Sequence, residues 1–217
     1  MDSARAGAVA LCRAHAGEFE VLGVEPLRAA TRDDDLMGAI DRLGRRLGVG
    51  APEVNRVAVS VGPGGFTGVR IAVATAKAIS EATGATVVGV PTAEGVVRAL
   101  DPRDRAAGPV IVCLAWKRMD VWRTVFQSGA SPGSGELIAL SRLFEGVANA
   151  PTLVLDARLE ERLRALAVLP AQARIVRPRF DPVAIARASL EFPEVDPLAL
   201  APLYPREPEA VNKWREL

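Results

Sequence analysis

The stretch Val59-Ser60-Val61-Gly62-Pro63-Gly64-Gly65-Phe66-Thr67-Gly68-Val69-Arg70-Ile71 decides the reading of this chain. It reads as a buried strand, a glycine-rich turn and the opening of an apolar helix, here expected from about Gly68 to Thr83 and closed by Gly84. Gly62, Gly64 and Gly65 allow positive φ and a close backbone approach. In the helix, Arg70, Lys77 and Glu81 share one narrow stripe with Ala74, and nearly everything else is Val, Ile, Ala or Ser. A surface helix normally keeps a broad polar face. This helix is therefore expected to be buried on two sides, one against its own sheet and one against another protein. The positions expected to meet that protein are Val69, Ala72, Val73, Ala76, Ile79 and Ser80.

The turn also admits a phosphate reading, because turn amides and a helix N-terminus attract anions. Gly62, Gly64, Gly65 and Thr67 would then face the phosphate. It is not a P-loop, since no Gly-Lys-Ser/Thr follows, and Thr67 stands where Gly-x-Gly-x-x-Gly needs its last glycine. A tight strand-to-helix turn accounts for the same residues, and both readings stay open at this point.

Working outward, apolar runs at 6–13 and 18–26 around Ala14-His15-Ala16-Gly17 predict a β-hairpin. Thr31-Arg32-Asp33-Asp34-Asp35 is a helix-start signal, with acids at the positive end of the dipole, and Leu36, Ile40, Leu43 and Leu47 follow at helical spacing. Strands are expected at 56–61 and 86–90, with a helix from Pro91-Thr92 to Leu100. Residues 101–105 read as a linker. Beyond it come a strand pair (109–115 and 120–127), a loop at 128–135 and a helix at 137–147. A strand at 151–155, a helix at 157–166 and a strand at 173–176 follow. Asp181-Pro182 then starts a helix to about Glu191, with Asp as N-cap and Pro at N1. The proline-rich remainder from Phe192 is expected to lie extended on the surface. This order predicts two α/β lobes with mixed sheets flanked by helices, at 1–100 and 108–217.

Bulk properties narrow the function. The chain has 217 residues, 49% hydrophobic, with a net charge of +1, so no global field recruits nucleic acid or membrane. Cys12 and Cys113 each sit in an apolar run and read as buried free thiols, which suits a reducing cytoplasm. No stretch reaches the roughly 20 apolar residues of a membrane span, and no signal peptide is visible.

Catalytic patterns are scarce. The one histidine, His15, is expected in a hairpin turn, so no intramolecular His pair can hold a metal, and no Gly-x-Ser-x-Gly elbow exists. Asp33, Asp34 and Asp35 read as capping acids rather than a metal cluster. Asp2 would suit magnesium only at a strand end. Trp116-Lys117-Arg118 with Trp122 could stack on RNA, but the preferred reading is the edge of a strand pair with Trp122 packed on the core. No catalytic or metal residue is assigned.

The segment order resembles the TsaB (YeaZ) family, the non-catalytic subunit in threonylcarbamoyladenosine synthesis on tRNA. The resemblance is carried by Gly62-Pro63-Gly64-Gly65-Phe66-Thr67-Gly68-Val69-Arg70-Ile71 with Ala74-Thr75-Ala76-Lys77, in which Gly65 replaces the usual serine. Val90-Pro91-Thr92-Ala93-Glu94 resembles the next family block. Asp196-Pro197, Pro202-Leu203-Tyr204 and Arg206 resemble the closing segment, with Pro205 in place of leucine. Departures include Ala115-Trp116-Lys117 where the family has Asp-Ala-Arg, and Arg32 near the position of a usual histidine. The family also has a full first strand, of which Met1-Asp2-Ser3 supplies only the end; that strand would lie centrally in the first sheet, so its loss predicts unpaired backbone there.

The resemblance implies an actin-like (ASKHA, ribonuclease H-like) double α/β fold without a working active site. It implies a scaffold that binds a TsaD-like catalytic subunit through first-lobe helices, in a complex that includes a TsaE-like ATPase, and that homodimerises through much the same surface when alone. No intrinsic cofactor is implied; ATP or ADP would bind only at the partner interface, tRNA only indirectly, and membrane not at all. A small-molecule kinase or ATPase of the same superfold is the alternative, with Asp2 the one acid placed for it. A peptidase finds neither a nucleophile with its base nor a metal site.

Overall fold

The computed structural model of the chain describes residues 7–28, 35–106, 108–127, 133–147 and 151–206. Asp2, Asp33 and Asp34 lie outside the described residues, as does most of the loop expected at 128–135. The elements are β1 (Ala8–His15), β2 (Glu18–Pro26), α1 (Leu36–Leu47), β3 (Arg56–Gly62), α2 (Phe66–Thr83), β4 (Thr86–Pro91), α3 (Thr92–Arg98), α4 (Pro102–Ala106), β5 (Val110–Lys117), β6 (Asp120–Phe126), β7 (Ser134–Ala139), β8 (Thr152–Val154), α5 (Ala157–Ala165), β9 (Arg174–Val176) and α6 (Pro182–Ala188). It is a mixed α/β fold with sheets flanked by helices.

The chain divides into two compact units, Met1–Ala99 with Arg179–Pro202, and Leu100–Pro178 with Leu203–Leu217. This corrects the expected second lobe at 108–217. Residues 179–202 join the first unit because α6 packs on α3, β1 and β3, Val195 bridges Val87, and Leu200 is buried beside Val59, Val73 and Val87. The tail from Phe192 is therefore not simply a surface strap.

In the first unit β1 and β2 form the expected hairpin, turned by Ala16 (φ 50) and Gly17 (φ 86). β3 and β4 pair in parallel, and this pair is separate from the hairpin. The core beneath α2 gathers Val59, Val73, Ala76, Val87 and Leu200; Val88, Val90 and Ala188 form a second cluster with Ile185 and Phe192. Ser60 Oγ lies 2.7 Å from Thr92 Oγ1, tying β3 to the start of α3.

The second unit holds one mixed sheet in the order β7-β6-β5-β8-β9, with β7, β6 and β5 antiparallel and β5, β8 and β9 parallel. Its central strand, β5, opens with Val110-Ile111-Val112-Cys113-Leu114, all buried. A continuous apolar run is what a strand covered on both faces requires. Two expectations fail here. Residues 134–139 are a strand paired to β6, and only a 3-10 turn at Leu140–Arg142 follows, so there is no helix over 137–147. The expected linker holds the short helix α4, because Asp104 is buried there and paired with Arg174.

Caps explain most helix ends. Asp156 accepts the amide of Leu159, and Asp181 accepts that of Val183 with Pro182 at the first helical position. Gly84 closes α2 in the left-handed conformation (φ 73), bonding Ser80 O. Asp35 precedes α1 but its side chain does not cap it: one oxygen accepts the Arg28 amide at 2.7 Å and both accept the Arg42 guanidinium.

Candidate functional site

The quoted stretch folds as a strand, a tight turn and an 18-residue helix. Gly62 (φ 105) and Pro63 are buried and joined by a cis peptide bond. Gly64, Gly65 and Thr67 are exposed. Gly65 stands at the N-cap of α2 with no side chain to cap it, its carbonyl accepting the Val69 amide at 3.0 Å. The structure thus brings the four phosphate-facing candidates into one turn, but buries Gly62.

α2 corrects the expected partner face. Val73, Ala76 and Ser80 are buried, and Val69 and Ala72 pack beside them on the β3–β4 core. Ser80 Oγ donates to Ala85 O at 2.7 Å, so it fastens the helix to the next strand. These residues line the sheet-facing side, with Ile79 half-buried at its margin. The side turned away carries Thr67, Ile71, Ala74, Thr75, Ala78 and Ala82, of which Thr67, Ala74, Ala78 and Ala82 are exposed. None of these six residues is charged, and the charged stripe borders the face at Ala74. Arg70, Lys77 and Glu81 run along one flank, where the Arg70 guanidinium sits 4.5 Å from the centroid of Phe66. Lys77 Nζ donates to Leu198 O at 3.2 Å, holding the 196–200 turn against the helix. Leu198 itself is 86% exposed.

The apolar residues surround the helix, so the sequence pattern does not say which side meets the sheet. Helix α2 exposes Ala74, Ala78 and Ala82 on this side, and an uncharged face of Ala and Thr admits close approach of another helix.

Chemical groups are sparse elsewhere. Among the described residues no three His, Cys, Asp or Glu side chains gather into a metal-binding group. His15 is exposed at the end of β1. Both cysteines are free; burial pushes the Cys113 thiol up to about 12, and burial raises Cys12 as well, against a lowering pull from Arg187. Trp116 packs on the core of the second unit and donates its indole N–H to Arg118 O at 3.1 Å. Trp122 lies across Gly135, where a Cβ would stand 2.8 Å from the indole. Both tryptophans thus serve the strand pair. Arg206, from the closing segment, donates to Ala115 O and Asp120 O, both at 2.8 Å, clamping the β5–β6 hairpin where Ala115 has positive φ. Arg123 is a residue the sequence did not flag. It is buried, bonding Leu143 O and Glu145 O and pairing with Glu136.

Comparison with known proteins fits this geometry. The family model for TsaD, tRNA N6-adenosine threonylcarbamoyltransferase, matches residues 16–121, just under half of the chain. No curated protein sequence matches. A crystal structure from Pseudomonas aeruginosa, described as similar to the peptidase YeaZ, superposes with a TM-score of 0.71 at 19% identity, covering 93% of this chain and 95% of that one. YeaZ from Pseudomonas aeruginosa gives 0.70 at 20% identity, covering 92% and 94%. The fold is the actin-like α/β fold of these structures. The chain is thus similar to the TsaD family model over residues 16–121 and shares the fold of the YeaZ structures. Among the described residues no helix is long and apolar enough to cross a membrane.

Proposed function

We propose that the chain is a non-catalytic subunit that binds and activates a TsaD-like subunit for threonylcarbamoyl transfer to adenosine of tRNA. The observation that carries this reading is the outer face of α2, an uncharged stripe of small residues, Ala74, Ala78 and Ala82, left exposed after the inward face has met its sheet. Close helix packing needs such small residues, and a charge introduced there would be desolvated without a partner. A TsaE-like ATPase joins the complex, and a homodimer through the same face forms when the partner is absent. Nucleotide, where it binds, does so at the partner interface near the exposed Gly64, Gly65 and Thr67, and tRNA contacts the complex mainly through the partner. The cytoplasm is the setting, in line with two free thiols.

The test is mixing with a TsaD-type subunit. Ala78→Glu is expected to abolish the heteromer while leaving thermal stability close to that of the parent chain. Undiminished binding by that variant would refute the docking face. ATP hydrolysis by the isolated chain would instead favour the kinase or ATPase alternative.

A further inference from the structure

In the second unit the β5–β6 hairpin ends in a turn whose backbone acceptors are largely used internally. Ala115 O and Asp120 O accept Arg206 at 2.8 Å, Arg118 O accepts the Trp116 indole at 3.1 Å, and Met119 O accepts the Leu140 amide at 2.7 Å. Arg118 (φ 57) stands at the tip and is exposed. Helix α5 lies beside it, with Arg162 Nη2 3.1 Å from Met119 Sδ. Arg158 precedes Arg162 by one helical turn on the same side, and both are exposed. This set of cations costs the fold stability. Like charges four residues apart on a helix repel, and Arg158 lies in the first turn of α5, at the positive end of its dipole. Among the described residues no carboxylate pairs with Arg118, Arg158 or Arg162, whereas Arg164 of the same helix pairs with Glu160. Asp156 is committed to the α5 cap, and Glu161, an exposed acid of α5, pairs with none of the three.

We propose that Arg118, Arg158 and Arg162 form a contact for the sugar-phosphate backbone of RNA. The identity of that RNA, the tRNA substrate of the complex, rests on the function proposed above. Phosphate oxygens are acceptors only, and they match a surface whose outward groups are guanidinium donors and whose turn carbonyls are occupied. An anion seated there would relieve both the Arg158–Arg162 repulsion and the unfavourable dipole at Arg158. The net charge of the whole chain is only +1, so the attraction is local to this patch. Phosphate contacts carry no base information, so the patch orients the RNA and leaves recognition of sequence to other surfaces. A lipid surface fits less well, because interfacial binding needs an apolar face as well as cations. Met119, the large apolar side chain of the turn, is engaged by Arg162.

The probe is a fluorescein-labelled tRNA transcript, titrated over a range of KCl concentrations with the chain mixed with a TsaD-type subunit and with the chain alone. The parent is compared with the triple variant Arg118→Gln, Arg158→Gln, Arg162→Gln, and light scattering reports the heteromer in parallel. The slope of log K against log salt is expected to shrink by about 1 for each arginine removed, with binding about tenfold weaker at the low-salt end. The thermal midpoint should not fall, since a repulsion is relieved. An intact heteromer with an unchanged slope would overturn the patch and leave the docking reading standing. A missing heteromer would overturn the docking reading instead, and the slope for the chain alone would then decide the patch. A lowered thermal midpoint would assign the three guanidiniums to the fold. Displacement of the RNA by inorganic phosphate at constant ionic strength would make the patch a free-anion site. Loss of binding to phosphatidylglycerol vesicles, with RNA binding unchanged, would make it a lipid site. Each of these three results would equally overturn the proposal.

Discussion

Gly95 of α3 faces Ile185 of α6 so closely that a Cβ on Gly95 would stand 2.4 Å from Ile185 Cδ1 and 2.9 Å from Cγ1. This contact is what lets α6 settle on α3 and carries residues 179–202 into the first unit. Gly95→Ala would gain about 1 kcal/mol in helix propensity and lose about 1–3 kcal/mol to overpacking. The expected outcome is a net loss near 1 kcal/mol, read as a lower urea midpoint at unchanged m-value. Gly95→Val should lose clearly more. A stabilised Gly95→Ala variant would show that Ile185 yields freely.

Acid should loosen the hairpin from α1. Asp35 and Glu25 both bond Arg42, and Glu25 also pairs with Arg46. Hydrogen bonds from Arg42 come first among the causes that hold both carboxyls below their ordinary values of 3.8 and 4.5. Near pH 4 the unfolded chain then binds more protons than the folded one, so stability falls as pH falls. The contribution is fully present above about pH 5 and is lost as pH drops through the depressed folded values. Arg42→Met should flatten the slope of thermal midpoint against pH between 5 and 3. An unchanged slope would show that other carboxylates set the acid limb.

The cysteines should separate by reactivity. Cys113 is 4% exposed at the centre of the second sheet with its thiol pushed up to about 12, whereas Cys12 is half-buried on β1. Only the thiolate reacts quickly. A disulfide reagent at pH 8 is expected to label Cys12 slowly and Cys113 only on unfolding. Native-state labelling of Cys113 at a comparable rate would mean that the second unit opens readily.

Much of this architecture was legible because local chemistry and tertiary context agree. Asp181-Pro182 caps α6, Gly84 closes α2, and the Ala16-Gly17 turn closes the hairpin, each as the residue types require. Where they disagree, the reading failed. Leu137, Leu140 and Leu143 fall at near-helical spacing, yet pairing with β6 makes 134–139 a strand. Asp35 sits at a helix start, but two guanidinium bonds outcompete capping. The inward face of α2 was mistaken for the outward one because Ala, Val and Ile occur all around it. The return of 179–202 to the first unit has no local signal, since it rests on long-range packing of Ile185, Val195 and Leu200.

The two faces of α2 can be told apart by paired variants. Ala76→Glu places an unpaired charge at a position 3% exposed, beside Val59 and Val87. It is expected to cost several kcal/mol or prevent folding, since burying a lone charge is far more costly than losing a methyl. Ala78→Glu on the exposed side should change stability by less than about 0.5 kcal/mol. Chemical denaturation of both variants checks this, and equal destabilisation would reverse the assignment of faces.

The central claim is that the outer face of α2 docks a TsaD-like subunit. The most direct measurement is the molar mass, by light scattering, of the chain mixed with a TsaD-type subunit, with and without ATP, alongside Ala78→Glu. The account predicts a stable heteromer for the parent chain, protection of 66–83 from hydrogen exchange, and separate species for the variant. A parent chain that never associates with the TsaD-type subunit, or a variant that associates as well as the parent, would contradict it.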